Sequence, residues 1–110
     1  MTTQWTALCA KSDLVENSGV AALLGDEQVA LFYLPQSEEQ VFALSNHDPF
    51  SEAYVLSRGI VGDLKGEWVV ASPIYKQHFV LNSGQCQEDE GVTLKTWPVR
   101  LNGDTVEISA

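Results

Sequence analysis

The residues of this chain whose types could do chemistry are few and scattered. They are two histidines, His47 and His78, two cysteines, Cys9 and Cys86, and one acidic run, Glu88-Asp89-Glu90. A hydrolytic triad could be drawn from Ser45, His47 and Asp48, but three residues packed into one loop do not converge on one another; triads take their members from distant segments. There is no GxSxG elbow, Walker-type loop, GxGxxG or HExxH. Two histidines without Asp, Glu or Cys partners at ligand spacing do not make a zinc site. The cysteines belong to no CxxC or CxH pair, so they read as two thiols, with one long-range disulfide as the alternative. The acidic run lacks EF-hand spacing and reads as a solvated loop; the other reading is a docking patch for a basic surface on a partner. No catalytic group emerges.

The elements that would position these residues are short strands. The chain has 110 residues, 45% hydrophobic and 19% charged, which suits a single domain over 1–110 with roughly two-thirds of its unfolded surface buried. Six Lys+Arg against 15 Asp+Glu give a net charge of −9, which argues against nucleic-acid and anionic-membrane partners, since phosphate contacts need basic clusters. The start carries no basic region followed by an apolar run, and no apolar stretch nears the roughly 20 residues of a membrane span. A cytoplasmic protein is the expectation.

Short apolar segments rich in Val, Leu and aromatics, punctuated roughly every eight to twelve residues by Gly, Asn, Asp or Pro, predict an all-β fold. Strands are expected at Gly19–Leu24 and Gln28–Leu34 around a Gly25-Asp26-Glu27 turn, and at Val41–Leu44 after Gln36–Glu39. Ile60-Val61 and Trp68–Ala71 read as paired strands flanking Gly62-Asp63 and Lys65-Gly66, and His78–Leu81 as another. At the end, Val99/Leu101 and Val106/Ile108 alternate with polar residues around Asn102-Gly103, the strongest two-residue hairpin signal in the chain. Asp13–Glu16, with Ser12 as cap, could form only a helical turn. No internal repeat is apparent, and Trp5, Trp68 and Trp97 are assigned to the core.

Two irregular loops stand out, Ser45-Asn46-His47-Asp48-Pro49-Phe50 and Ser72-Pro73-Ile74-Tyr75-Lys76-Gln77-His78-Phe79, each following a strand. Their placement resembles the Rieske fold, whose cluster-binding loops carry Cys-x-His and, further on, Cys-Pro-x-His with a downstream Phe and a Gly-containing turn. The likeness runs from Trp5 through Asp13-Leu14, Val29–Tyr33 and Trp97-Pro98-Val99 to the terminal hairpin. It implies an all-β fold of antiparallel sheets with two degenerate cluster-binding loops. Ser45 and His47 fall at the first Cys and His of the family, Ser72 and Tyr75 at the second pair. Serine hydroxyls and a phenol stay protonated near neutral pH, so the resemblance implies a domain without its iron-sulfur cluster.

Among such members, NHDPFSE (46–52), VLSRG (55–59), SPIYKQHF (72–79) and GQCQEDE (84–90) resemble the small subunits of bacterial cytoplasmic NADH-dependent nitrite reductases. In that family the large subunit carries NADH, FAD, an iron-sulfur cluster and sirohaem and reduces nitrite to ammonium. The resemblance therefore implies an accessory subunit, partnered by the large subunit, required for its activity and binding no cofactor of its own. A free-standing protein-binding module on the same scaffold is the alternative. Ser45, His47, Ser72, Tyr75 and His78 are the degenerate loop positions and candidate partner contacts. Tyr75 reads equally as an interface residue or as a lid packed over the empty cluster pocket. His47 and His78 read as loop histidines, Phe79 as core, and Arg58 as a surface charge or a salt-bridge partner.

Overall fold

A computed structural model describes residues 4–109. Its strands are Trp5–Ala10 (β1), Ser18–Leu24 (β2), Glu27–Tyr33 (β3), Val41–Ser45 (β4), His47–Asp48 (β5), Ala53–Tyr54 (β6), Ile60–Leu64 (β7), Glu67–Ala71 (β8), His78–Val80 (β9), Thr96–Trp97 (β10), Val99–Asn102 (β11) and Thr105–Ser109 (β12). They form a four-stranded sheet in the order β10-β4-β3-β2, two three-stranded sheets, β1-β12-β11 and β7-β8-β9, and a β5-β6 hairpin. Every strand pairing is antiparallel. The all-β expectation is met. No helix among the described residues is long and apolar enough to cross a membrane.

The layering follows from the two-residue period of β3 and β4. Side chains alternate across a strand, so a strand apolar at every position must be covered on both faces. Val29 and Leu31 of β3, with Ala43 of β4, pack with Val106 and Ile108 of β12. Ala30 and Phe32, with Phe42 and Leu44, pack instead with Val70 of β8 and Phe79 of β9. The central sheet thus lies between two cores. Phe32 and Phe79 are fully buried, each stabilising by about 2–3 kcal/mol through area removed from water. The second core carries the two loops.

Several local expectations shift. The terminal hairpin turns at Gly103-Asp104 rather than Asn102-Gly103, with Asn102 opposite Thr105. This register sets Leu101 against Val106 and Val99 against Ile108. A turn at Asn102-Gly103 would instead set Leu101 against Asp104 and Val99 against Val106 and leave Ile108 beyond the start of β11, so the register that pairs both apolar couples overrides the turn signal. Gly62-Asp63 is not a turn but part of β7, paired with Val69 and Trp68; the turn is at Lys65-Gly66 alone. Near Asp13 the short turn is 3-10, spans Lys11–Asp13, and is capped by Asp13, whose carboxylate accepts from the Ala10 N–H at 3.0 Å. Of the tryptophans only Trp97 is core; Trp5 and Trp68 are half-buried, and Trp5 lies under the Arg100 guanidinium at 4.2 Å.

Candidate functional site

The first loop is more ordered than its composition suggests. Asn46, buried, sits at its root and uses every polar atom. Its amide donates to Gln28 Oε1 at 3.1 Å and to the Tyr54 carbonyl at 3.3 Å, and its side-chain oxygen accepts from Ser57 N–H at 2.7 Å. The backbone joins in, with Asn46 N–H on the Gln28 carbonyl and Leu56 N–H on the Asn46 carbonyl. Asn46 therefore ties β3, the β5-β6 hairpin and the 3-10 turn Leu56–Arg58 together. That turn packs closely: a Cβ on Gly59 would collide with Ala71 O and Val70 Cγ2. VLSRG is thus a packing motif, and Arg58 is exposed with no ion pair among the described residues.

Beyond Asn46 the chain enters a tight turn, and the same turn recurs in the second loop. Asp48 takes Phe50 N–H on its side chain at 2.9 Å and Glu52 N–H on its carbonyl at 2.7 Å. Ser72 takes Ile74 N–H on its hydroxyl at 3.3 Å and Lys76 N–H on its carbonyl at 3.1 Å. Pro follows the first residue in both, and the fifth residue, Glu52 at φ 61° or Lys76 at φ 67°, adopts the left-handed region. Asp48-Pro49-Phe50-Ser51-Glu52 and Ser72-Pro73-Ile74-Tyr75-Lys76 are therefore a five-residue structural repeat, too short and too varied in side chains to be found in the sequence.

The two turns meet at their first residues. The Ser72 hydroxyl donates to the Asp48 carboxylate at 2.5 Å, and both residues are 0% exposed. Burial pushes the Asp48 carboxyl up, but the Ser72 hydroxyl, Phe50 N–H, and the hydroxyl and N–H of Ser51 outweigh it and hold the pKa below the ordinary 3.8. A charge-assisted hydrogen bond of this kind is worth about 1.5–3 kcal/mol. Asp48 is the organising residue of the site, although its sequence context marks it only as one member of an irregular loop.

The remaining positions separate. His47 is half-buried and meets the Tyr54 ring at a tilt of 59°, ring centroids 5.2 Å apart, while its backbone N–H donates to Ser45 Oγ at 3.2 Å. Tyr75 is 59% exposed and neighbouring Ile74 44%, so Tyr75 does not lie over a pocket. His78, at the end of the second loop, is half-buried, and its Nδ1 pairs with Glu88 Oε2 at 2.6 Å while its N–H donates to Glu88 Oε1 at 2.8 Å. Burial raises the Glu88 pKa, but these bonds and the nearby imidazole outweigh it and hold it below 4.5. Phe79 is core, as expected, and Gly84, at φ 79° against the Leu94 carbonyl, makes the turn that brings Cys86 and Glu88 back to β9. Ser72 is fully buried, and its hydroxyl joins the second loop to Asp48 of the first.

The sequence pattern of the Rieske-like [2Fe-2S] domain family matches residues 4–109. The nitrite reductase (NADH) small subunit of Escherichia coli K12 is 48% identical over 105 residues, 96% of each chain. The chain belongs to this small-subunit family within the Rieske-like domains. The solution structure of the E. coli protein NirD superposes with a TM-score of 0.88 at 46% identity, covering 99% of this chain and 98% of that one. The nitrite reductase [NAD(P)H] large subunit of Klebsiella oxytoca is 43% identical over 103 residues, which are 93% of this chain and 10% of that protein.

Against the cluster that gives this domain family its description, the residues do not fit. Of the four loop positions only His47 is a ligand type for a [2Fe-2S] centre. Ser72 is spent on Asp48, and Tyr75 points to solvent. The thiols lie elsewhere, Cys9 packed against one core and Cys86 within the other, both unpaired. Burial pushes both thiol pKa values up, helped by Asp13 at Cys9 and by Glu88 at Cys86, where backbone N–H groups oppose it; both stay protonated. Among the described residues no group of three or more His, Cys, Asp or Glu is placed to hold a metal.

Proposed function

We propose that this chain is the accessory small subunit of an NADH-dependent nitrite reductase. It acts in the cytoplasm, partners the large catalytic subunit, and carries no redox centre of its own. One observation carries the cluster-less reading: where cluster ligands would gather the two loops, a buried Asp48–Ser72 hydrogen bond joins them instead. The loop geometry is then maintained without iron. The partner assignment is supported by the near full-length identity to a nitrite reductase small subunit and by the occurrence of a similar 103-residue segment inside a large-subunit polypeptide. The assignment of nitrite reduction to the partner is supported by two observations: among the described residues no group of three or more His, Cys, Asp or Glu is placed to hold a metal, and burial raises both thiol pKa values.

Two measurements test this reading. The purified chain is expected to be colourless and iron-free, and a brown sample with iron-sulfur absorption overturns the cluster-less assignment. Added to large subunit lacking it, the chain is expected to raise nitrite-dependent NADH oxidation. No stimulation and no association would return the chain to a free-standing binding module.

A further inference from the structure

The second loop ends in an apolar tip that the fold does not use. Ile74 and Tyr75 are both exposed, while the residues flanking them in the turn are fixed: Ser72 is buried on Asp48, and Gln77 O accepts from Ser72 N–H at 2.9 Å. The tip is therefore held out on a rigid base. The corresponding residue of the first loop, Phe50, packs instead against Phe79, ring centroids 6.2 Å apart. The turn itself does not force exposure. A preorganised aromatic with an adjacent aliphatic is the usual form of an interface anchor, because little side-chain entropy is lost on docking.

The surroundings are acidic. Glu88 is tied to His78 at the foot of the loop, which holds the Glu88-Asp89-Glu90 segment beside it, and Asp89 is fixed by accepting Gly91 N–H at 2.9 Å. The lone basic side chain in the turn, Lys76, donates only to the Pro73 carbonyl, at 3.4 Å. With −9 on the whole chain, two copies repel, and a second copy is a poor occupant. A basic surface with an apolar cradle is the complementary one.

We propose that Ile74 and Tyr75 are the anchor by which this chain docks on the nitrite reductase large subunit, in a cradle rimmed by basic residues that meet Glu88-Asp89-Glu90. The proposal rests on the functional reading above, which supplies the partner. It selects among the loop positions: Tyr75 enters the interface core, His78 acts from beneath by holding Glu88, and Ser45 and Ser72 stay out of it.

The test is a titration of the intact chain against purified large subunit at two salt concentrations. Tyr75→Ala and Ile74→Asp are each expected to raise Kd by about tenfold or more, with melting temperature unchanged because both residues are exposed. Tyr54→Ala, an equally exposed tyrosine beside the first loop, is the control and leaves Kd within about twofold. Wild-type association is expected to slow with added salt, and Glu88→Gln with Glu90→Gln to flatten that dependence. Wild-type binding with Tyr75→Ala and Ile74→Asp unchanged overturns the docking surface alone. Failure of the wild type to bind overturns both this surface and the functional reading. A Tyr75-dependent dimer in sedimentation overturns the choice of partner in favour of a second copy.

Discussion

Asp48–Glu52 and Ser72–Lys76 share a backbone and differ in what their third and fourth residues do. Both begin with a polar side chain that accepts the N–H two residues on, continue through Pro, and close with an N–H from a left-handed residue onto the first carbonyl. In the first, Phe50 and Ser51 turn toward the protein; in the second, Ile74 and Tyr75 stand in water. One turn can therefore serve two purposes. Where the third residue finds a core neighbour, the loop becomes part of the packing; where it does not, the loop presents that residue to a partner. The joint between them, Asp48 on Ser72, keeps the inward loop's stability available to the outward loop's geometry.

Breaking the joint should have the largest effect. Asp48→Ala removes the acceptor for a buried hydroxyl and for Phe50 N–H, and is expected to lower unfolding free energy by about 3 kcal/mol in urea titrations. A loss under about 1 kcal/mol would mean the two loops are held independently. Next comes the contrast of third residues. Phe50→Ala should cost about 2 kcal/mol, less than a fully buried phenylalanine because it is half-exposed, whereas Ile74→Ala should stay within about 0.5 kcal/mol. Equal losses at the two positions would erase the distinction drawn between them.

Ser72→Ala is expected to cost about 1–2 kcal/mol, since Asp48 keeps its backbone donors and loses one hydroxyl. Acid gives a smaller and graded effect. The folded Asp48 pKa lies below its ordinary 3.8, so its contribution is present above the unfolded pKa and disappears as pH falls through the folded value. Stability should therefore decline below about pH 4, and Asp48→Asn should make that decline shallower. A variant with the same acid slope as the wild type would assign the acid sensitivity to other carboxylates.

Much of this was legible in the residues. The strands of β2, β3, β4, β8 and β9 follow from apolar runs and turn punctuation within a residue or two at each end. The displacement of the Asn102-Gly103 turn was not legible, because it depends on which apolar residues meet across the strands. The first loop, Ser45–Phe50, read as irregular, yet β5 lies inside it and pairs with β6 just beyond it, His47 against Tyr54 and Asp48 against Ala53. Pro49 and Asn46 signal a loop locally, and only the buried bonds of Asn46 explain why it is ordered.

The sequence by itself determined the all-β class, the two loops, their lack of cysteine ligands and the family, since these depend on residue type and order. Only the tertiary structure decided that Asp48 and Ser72 are one buried hydrogen bond, that His78 fastens Glu88, and that Tyr75 faces solvent. Those facts depend on segments 24 and 10 residues apart in the chain being brought within hydrogen-bond distance. A hydroxyl or carboxylate carries no mark in the sequence of whether its partner is water or another loop; burial between the sheets, which removes the water, makes the choice.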